Sequence, residues 1–507
     1  MVHAIVNIVA ATTLTAANLA HLPADVPGPT YDRGAVSVGI VHFGVGGFHR
    51  AHQAMYLDEL MNQGKALDWG ICGVGVLESD KRMAEVTEAQ DDLYTLVLKH
   101  ADGRREARVI GSIVDYLYAP DDPDAVLDRM TDPATRIVSL TVTEGGYHKN
   151  ASTGEFDDRD PAIQADIAAA QGAAPQTTFG YVVEALRRRR DDGTGPFTVM
   201  SCDNIQGNGH VAHAMITAYA RRRDPELADW IEASVPFPNS MVDRITPRTT
   251  DEDREELQAS TGIVDAWPVV CEPFTQWVLE DWFAAGRPPF EDVGVQVVAD
   301  VEPYELMKLR LLNASHQAIA YVGYLSGYRY AHEVAGDPLF AGFTRAYMDR
   351  EGTPTLQPVP GVDLDDYKAT LIERFANPEI RDTLARLAAE SSDRIPTWLV
   401  PVIRINLDNG GEIDRSALIV ASWARYAEGV DEAGEPIEVV DTGRAEDRIA
   451  AARRYPDEPL AFLADRDLFG GLIDDERFTT AYRAHLDALH QQGARATVEE
   501  LEARLPR

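Results

Sequence analysis

Three polar side chains that can handle a proton and an alcohol oxygen lie close together in an apolar stretch. Lys308, Asn313 and His316 follow the order K-x4-N-x2-H within MKLRLLNASH. At about 100° per residue on an α-helix they span an arc of roughly 140°, so they can share one face. Burial among leucines favours a neutral lysine amine, which can accept a proton from an alcohol.

The same spacing has a structural interpretation, in which the ammonium of Lys308 extends to solvent and His316 is hydrogen-bonded in the core. From the spacing alone this interpretation is favoured. Two further segments bear on the choice. Asn204 ends SCDN, which follows a predicted strand where ligands approach an open α/β sheet, and Asp243 lies with Arg244 between the prolines of VPFPNSMVDRITP. Taken singly, Asn204 is also typical of a helix cap, and the Asp-Arg pair of a surface ion pair.

A glycine cluster follows the first strong strand pattern. Residues 35–43 (AVSVGIVHF) lead directly into Gly44, Gly46 and Gly47, and residues 48–61 are compatible with a helix. Glycines at a strand-to-helix turn let backbone N–H groups approach a pyrophosphate, so the pattern indicates a dinucleotide site. His49 replaces the third glycine of GxGxxG. A glycine-rich turn without a ligand therefore remains an alternative.

An acidic pair, Glu78 and Asp80, follows the second strand pattern at residues 69–77 (WGICGVGVL). The pair comes later than the usual offset of about 20 residues, and a longer helix with the loop 63–68 accounts for the difference. A carboxylate here accepts from ribose hydroxyls and repels a 2′-phosphate. We therefore expect Asp80, with Glu78 as the weaker candidate, to favour NAD over NADP.

Three histidines beside this turn, His42, His49 and His52, also fit a metal site, because the last two share one helix face. No cysteine or carboxylate stands at a matching spacing. We therefore expect no bound metal.

The order of strand and helix patterns predicts an α/β fold with two domains. Further strand patterns at residues 94–98, 108–114, 136–142 and 197–202 alternate with helical ones, which is typical of a largely parallel sheet. Beyond residue 203 the pattern is mainly helical, except for a strand-like insert at 294–301. The predicted helices are 209–223, 273–285, 304–327, 365–375, 380–389 and 415–426. The predicted domains are a nucleotide-binding domain at 30–233 with about 290–299, and a mainly helical substrate domain at 234–289 and 300–507.

Composition excludes several functions. The 507 residues carry a formal net charge of −35, which repels nucleic acid and anionic membranes. The arginine runs 187–190 and 221–223 are interpreted as solvated helix ends. Three cysteines without a CxxC pair indicate no disulfide framework. Residues 2–20 lack the basic start of a signal peptide and no segment is apolar enough to span a membrane, so we expect a cytoplasmic protein.

Four separated blocks resemble the mannitol dehydrogenase family, the polyol-specific long-chain dehydrogenases. They are residues 43–52 (FGVGGFHRAH), 142–147 (VTEGGY), 201–204 with 235–247, and 308–316. The resemblance covers nearly the whole chain. It implies a Rossmann-type N-terminal domain, a helical C-terminal domain, NAD as cofactor and no zinc. The family's usual start resembles Thr12 onward, so the first ten residues are expected to be an extension.

The resemblance also implies a reaction, the reversible oxidation of D-mannitol to D-fructose. Lys308 resembles the family's general base, and Asn204 and Asn313 the amides that hold the reacting oxygen. The remaining implied roles are polyol binding by His316 and Asp243, weaker substrate contacts by Arg386 and Arg394, proton exit through Glu144, and cofactor binding by Gly44, Gly46, Gly47, Phe48 and Asp80. A monomer is the family expectation.

Two other functions compete with this one. A related enzyme acting on arabinitol, sorbitol or a sugar acid of the fructuronate or altronate type has the same motifs, and a uronate requires an additional cation such as Arg310, Arg386 or Arg394. A nucleotide-binding regulatory protein without activity is the alternative from another class. It is disfavoured because the lysine, both asparagines, the histidine and Asp243 occur together.

Overall fold

The computed structural model describes residues 11–150 and 153–504. These residues form two compact units, with the division after Val301. Residues 234–289, which the sequence led us to expect in the helical domain, lie in the first unit. The proposed N-terminal extension, residues 1–10, lies outside the described residues.

The strands of the described chain all lie in the first unit. They are β1 Thr12–Thr13, β2 Val38–Phe43, β3 Gly70–Gly75, β4 Tyr94–Lys99, β5 Arg105–Ile110, β6 Ile113–Tyr118, β7 Ile137–Leu140, β8 Thr198–Ser201, β9 Ser240–Asp243, β10 Ile263–Val264, β11 Val269–Cys271, β12 Gln276–Glu280 and β13 Gln296–Val298. The predicted strand at 108–114 is divided between β5 and β6.

The central sheet has five parallel strands in the order β6-β3-β2-β7-β8. Every residue of β2, β3, β7 and β8 is buried, which is why these segments read as continuous apolar runs rather than alternating ones. Glycine is required at Gly39 in β2, where a Cβ would lie 2.6 Å from the carbonyl oxygen of Asp68. The predicted Rossmann-type parallel sheet is confirmed.

A second sheet explains why residues 234–289 belong to the first unit. Strand β12 pairs antiparallel with β9 and parallel with β13. The predicted helix at 273–285 was wrong, because Trp277, Val278 and Leu279 are instead buried in the middle strand of this sheet. A run of three apolar residues between Gln276 and Glu280 does not distinguish a strand from a buried helix by periodicity. The strand-like insert at 294–301 joins this sheet rather than the central one. A further sheet has the order β11-β4-β5, and β1 pairs with β10.

The first unit also contains α-helices. In its described residues they are α1 Gly47–Ala51, α2 Gln53–Asn62, α3 Lys81–Ala89, α4 Pro123–Thr131, α5 Pro161–Ala168, α6 Thr178–Asp192, α7 Asn208–Arg223, α8 Pro225–Ser234 and α9 Asp251–Thr261. The helix predicted at 48–61 is interrupted at His52, whose backbone has φ −127° and ψ −91°. Arg189 was expected at a solvated helix end, but it is buried and its guanidinium donates to the carbonyls of Gly195, Met130 and Thr135.

The second unit is mainly helical in its described residues. Its α-helices are α10 Glu302–Met307, α11 Ala314–Leu325, α12 Ala331–Gly336, α13 Pro338–Tyr347, α14 Leu364–Phe375, α15 Leu384–Ala388, α16 Ser391–Trp398, α17 Val400–Asn409, α18 Asp414–Ala427, α19 Ala445–Ala452, α20 Arg466–Phe469 and α21 Glu476–Arg504, which is interrupted at Gly493. Two π-helical segments, Lys308–Asn313 and Met348–Gly352, join α10 to α11 and continue α13.

The core of the second unit contains a fully buried carboxyl group, that of Glu351. Its two oxygens accept from the backbone N–H groups of Arg415, at 2.7 Å, and Ser416, at 2.8 Å, and from the Ser416 hydroxyl at 2.5 Å. Burial nevertheless raises the pKa of Glu351 to about 7, although these hydrogen bonds and the charge of Arg415 oppose the rise.

This raised pKa predicts a pH-dependent stability. The folded protein holds the Glu351 proton more tightly than the unfolded chain, so this contribution to stability is fully present below about pH 4.5 and is lost as pH rises through about 7. The loss amounts to roughly 3 kcal/mol at most. We expect Glu351→Gln to be less stable overall but to lose less stability than the wild type between pH 5 and pH 8.

Thermal unfolding at the two pH values measures this difference. The exposed Glu373→Gln in the same unit is the control and should retain the wild-type difference. A Glu351→Gln variant with the wild-type difference would show that Glu351 has an ordinary pKa.

Candidate active site

The glycine-rich turn after β2 is held from behind by hydrogen bonds. Gly44 has φ +90°, and a Cβ on it would lie 2.1 Å from the carbonyl oxygen of Thr141. The Thr141 hydroxyl donates to the Gly44 carbonyl at 2.7 Å. At Gly46 the nearest atom to an added Cβ would be 3.8 Å away, so this side of the turn is open. Gly47 then begins α1, and the turn has the cradle that a pyrophosphate needs.

Buried imidazoles support this turn. The rings of His42 and His49 stack with centroids 3.4 Å apart, and His42 is hydrogen-bonded with Ser139 at 2.8 Å and Thr141 at 3.0 Å. Burial lowers the pKa of His42 well below its usual value and that of His49 to about 3. Both rings are therefore neutral near pH 7, which permits the close stacking.

The third histidine is part of the same packing. His52 is hydrogen-bonded with the Gln276 carbonyl at 2.9 Å, and its ring stacks on Phe48 with centroids 4.9 Å apart. Burial lowers its pKa to about 3. Among the described residues, no group of three or more His, Cys, Asp or Glu side chains is arranged to hold a metal ion. The histidines at the turn instead have identifiable hydrogen-bonding and packing roles.

Asp80 lies in the 3₁₀ turn Glu78–Asp80 that follows β3, and its Oδ2 accepts from the backbone N–H groups of Val76 at 3.0 Å and Leu77 at 2.9 Å. These bonds fix the carboxylate at the carboxyl end of the sheet. Glu78 lies in the same short 3₁₀ turn. The position suits the ribose contact that the sequence predicted for Asp80.

Two predicted residues, Glu144 and Asn204, are exposed on loops that a buried network joins. Asp203 accepts from the N–H groups of residues 142 and 143, at 3.0 and 2.8 Å, and from the Tyr147 hydroxyl at 2.7 Å. Burial raises the pKa of Asp203 to about 6. Thr143, which precedes Glu144, has φ +65°, a strained conformation for a threonine that this network stabilises.

A second network joins the Asn204 turn to β9. The Asn208 amide donates to the Asp203 carbonyl at 3.0 Å and to the Ser240 carbonyl at 2.7 Å. Asp243, at the end of β9, is buried in a strand rather than exposed in a loop. Its neighbour Arg244 is also buried and donates to the carbonyls of Glu272 and Ala51, so the Asp-Arg pair does not lie on the surface.

The sequence did not single out Tyr147, Asn208 or Ser240, although the first belongs to the VTEGGY block. The signal in the sequence that could have identified such residues is a polar residue near the end of a predicted strand. The motif residues Gly44, Asp80, Glu144, Asn204 and Asp243 thus all belong to the first unit.

In the second unit, Lys308 and Asn313 begin and end a π-helical segment. The N–H of Ala314 donates to the carbonyl of Leu309, five residues earlier. In such a turn residues five apart are closer in direction than in a regular helix, so Lys308 and Asn313 share a face more closely than the regular helix predicted. Both are buried, with 8% of Lys308 and 4% of Asn313 exposed. The structure therefore confines the lysine to the protein interior and does not present it at the surface.

His316, in the first turn of α11, packs its ring on Phe375 with centroids 4.8 Å apart. Helix α16 packs against the π-helical segment and carries Arg394. The Arg394 guanidinium donates to the carbonyls of Arg386 and Leu387 at 3.1 and 3.0 Å. Arg386 is exposed and its Nε donates to Asp382 at 2.6 Å.

Comparisons with known proteins agree with this architecture. The family model described as the mannitol dehydrogenase Rossmann domain matches residues 38–292, and that of the mannitol dehydrogenase C-terminal domain matches residues 300–490.

Among the residues that the structure describes, no helix combines the length and the apolar character that a membrane span requires.

Curated and solved relatives cover most of the chain. A mannitol 2-dehydrogenase of Aspergillus fumigatus is 49% identical over 475 residues, which are 93% of this chain and 94% of the relative. The structure of Pseudomonas fluorescens mannitol 2-dehydrogenase in ternary complex with NAD and D-mannitol is 46% identical, with a TM-score of 0.86, and the match covers 97% of this chain and 100% of that one. A D-sorbitol dehydrogenase in substrate-free form is 39% identical, with a TM-score of 0.90 and coverage of 96% and 100%. The chain belongs to the mannitol dehydrogenase family.

Proposed function

We propose that this protein is an NAD-dependent mannitol 2-dehydrogenase that oxidises D-mannitol to D-fructose reversibly. The observation that carries the proposal is the π-helical segment, which places a buried lysine and a buried asparagine on one face. The similarity to a structure that contains NAD and D-mannitol supports the choice of cofactor and substrate.

Lys308 is the proposed general base. Desolvation favours the neutral form of a buried amine, which can accept the proton of the C2 hydroxyl. The amide of Asn313 donates a hydrogen bond to the alkoxide oxygen as its charge develops, and Asn204 is proposed as the second amide donor. Such donors supply the electrostatic stabilisation that a metal ion supplies in other dehydrogenases.

The remaining predicted residues are proposed to orient the substrate and to move its proton. His316 and Asp243 bind polyol hydroxyls, with Arg386 and Arg394 as additional contacts. The Asp382 ion pair of Arg386 lowers the net charge that this residue offers to a substrate. A neutral polyol suits this arrangement better than a sugar acid. Exposed Glu144 is proposed to pass the proton from the lysine to solvent.

The glycine-rich turn and Asp80 are proposed to hold NAD, with Phe48 beside the turn. The open side of Gly46 fits the pyrophosphate, and the fixed carboxylate of Asp80 fits the ribose hydroxyls. When bound, NAD supplies the hydride acceptor. The proposed partners are thus small molecules, and a cytoplasmic monomer is the proposed state.

A panel of polyols tests the substrate proposal through NADH formation at 340 nm. We expect D-mannitol to give the highest kcat/KM. D-sorbitol is the second candidate, because a D-sorbitol dehydrogenase covers nearly the whole chain. A higher kcat/KM for sorbitol, arabinitol or a sugar acid such as altronate would replace mannitol as the substrate. No NADH with any of them would favour the nucleotide-binding protein without activity.

Lys308→Ala should remove turnover but retain NAD binding. Loss of a positioned general base costs about 10²- to 10⁴-fold in kcat, whereas the proposed cofactor residues all belong to the first unit. Steady-state kinetics and a fluorescence titration with NADH measure the two effects. A kcat near the wild-type value would exclude Lys308 as the base.

Gly44→Ala should weaken NAD binding by at least about tenfold, because the added methyl and the positive φ both displace the turn that would hold the pyrophosphate. The control is Gly64→Ala, since Gly64 has φ +75° but no atom within 4 Å of an added Cβ. The NADH titration compares the two variants. Equal affinities would show that the turn does not bind the cofactor.

A further inference from the structure

The π-helical segment at Lys308–Asn313 is held by the other π-helical segment of the same unit. The second segment, Met348–Gly352, directly follows Tyr347, whose side chain is fully buried. The Tyr347 hydroxyl donates to the carbonyl of Arg310 at 3.1 Å. Arg310 lies between Lys308 and Asn313, so this hydrogen bond is made inside the turn that sets their relative direction.

Two other contacts are made at the same place. The Arg310 guanidinium donates to the carbonyl of Thr355, just beyond the second segment. A Cβ on Gly352 would lie 2.9 Å from the Leu311 side chain and 3.3 Å from the Arg310 carbonyl, so a side chain here would press on both and make them shift. The chain from Tyr347 to Thr355 therefore encloses the turn from one side. We call it the bracing segment.

The bracing segment is itself anchored in the core. Glu351 accepts from Arg415 and Ser416 at the start of α18, and the Asn406 amide donates to the Glu351 carbonyl at 2.9 Å. These bonds link the segment to α17 and α18. A segment fixed in this way resists movement, so it can hold the π-helical turn in a conformation that an isolated helix does not favour.

The conformation of the turn sets the direction of the Asn313 side chain relative to Lys308. In a regular α-helix residues five apart differ by about 140° in direction, whereas the i→i+5 hydrogen bonding of a π-turn brings them closer in direction. Relaxation to a regular helix would turn the amide of Asn313 away from the amine of Lys308. This change would weaken the hydrogen bond from the Asn313 amide to the substrate oxygen, which strengthens as the alkoxide forms.

We propose that Tyr347 is a positioning residue for the reaction, which acts by holding the π-helical turn so that Lys308 and Asn313 face the same substrate oxygen. This inference rests on the proposed function of those two residues. Tyr347 itself touches neither substrate nor cofactor in this account. Its hydroxyl acts through the Arg310 carbonyl.

The test is a double-mutant cycle of Tyr347→Phe and Asn313→Ala in the full-length protein. Tyr347→Phe keeps the ring and removes the hydroxyl. We expect kcat for mannitol oxidation to fall at least about tenfold, with KM and NADH affinity within about twofold of the wild type, because a misplaced donor affects the transition state most. In the Asn313→Ala background, Tyr347→Phe should lower kcat by less than about twofold, because the donor that it positions is already gone.

Tyr328→Phe is the control, because its hydroxyl also donates a hydrogen bond within this unit, to Asp337 at 2.8 Å. It should leave kcat unchanged. If Tyr347→Phe does not fold, Gly352→Ala replaces it in the cycle, since its added methyl presses on the same turn. A single-variant kcat within twofold of the wild type, an undiminished loss in the Asn313→Ala background, or an equal loss in Tyr328→Phe overturns the proposal.

The positioning role of Tyr347 and the proposed function can fail independently of each other. If Lys308→Ala retains normal turnover, the mechanism fails whatever Tyr347 does. If Lys308→Ala is inactive but Tyr347→Phe is fully active, only the positioning role is removed.

Discussion

A helical turn that widens by one residue changes which side chains share a face. At Lys308–Asn313 this widening brings a buried lysine and a buried asparagine closer to one face of the helical segment in the second unit. A regular helix would separate them by about 140°. The arrangement has a cost, because π-helical turns are rare and need outside support. Much of the surrounding structure can be understood as that support: the Tyr347 hydroxyl, the close packing of Gly352 and the buried anchor of Glu351.

In the first unit, buried groups that are neutral or partly neutral near pH 7 stabilise the turns for which we propose a function. The stacked imidazoles of His42 and His49 are uncharged near pH 7, so they add no positive charge beneath the glycine-rich turn. The Asp203 network ties the loops that carry Glu144 and Asn204, and burial brings the pKa of Asp203 to about 6. The two exposed residues, for which we propose roles in the reaction, thus lie on loops whose backbone is fixed from within, and a rigid scaffold can present reactive side chains in this way.

The sequence predicted the central features of this fold because their signals are local. The buried strands at Val38–Phe43 and Gly70–Gly75 and the glycine turn between β2 and α1 follow from apolar runs and glycine positions. Family motifs then supplied roles for Lys308, Asn204 and Asp243. The strand Gln276–Glu280 was missed because its three consecutive apolar residues show neither a helical nor a strand period. It is fixed by pairing with β9 and β13, which are distant in sequence.

The wide turn itself was not predictable, since KLRLLN is a good α-helical sequence and the widening is imposed by tertiary contacts. Tyr347, which braces the turn through the Arg310 carbonyl, lies 37 residues away from Arg310 in the sequence. Spacing arguments that assume 100° per residue therefore underestimated how well Lys308 and Asn313 are aligned. The burial of Arg189 was missed for a related reason, because its backbone acceptors come from other elements.

The most direct test of the account is chemical rescue of Lys308→Ala by small primary amines, measured as NADH formation from D-mannitol. If the lysine acts as a neutral base, methylamine and ethylamine should restore part of the lost kcat, and the rescue should increase with the concentration of the unprotonated amine as pH is varied. A tertiary amine of similar basicity but larger size should rescue less. Rescue that follows the protonated amine, or none with any amine in a folded variant that binds NADH normally, would contradict the central role given to Lys308.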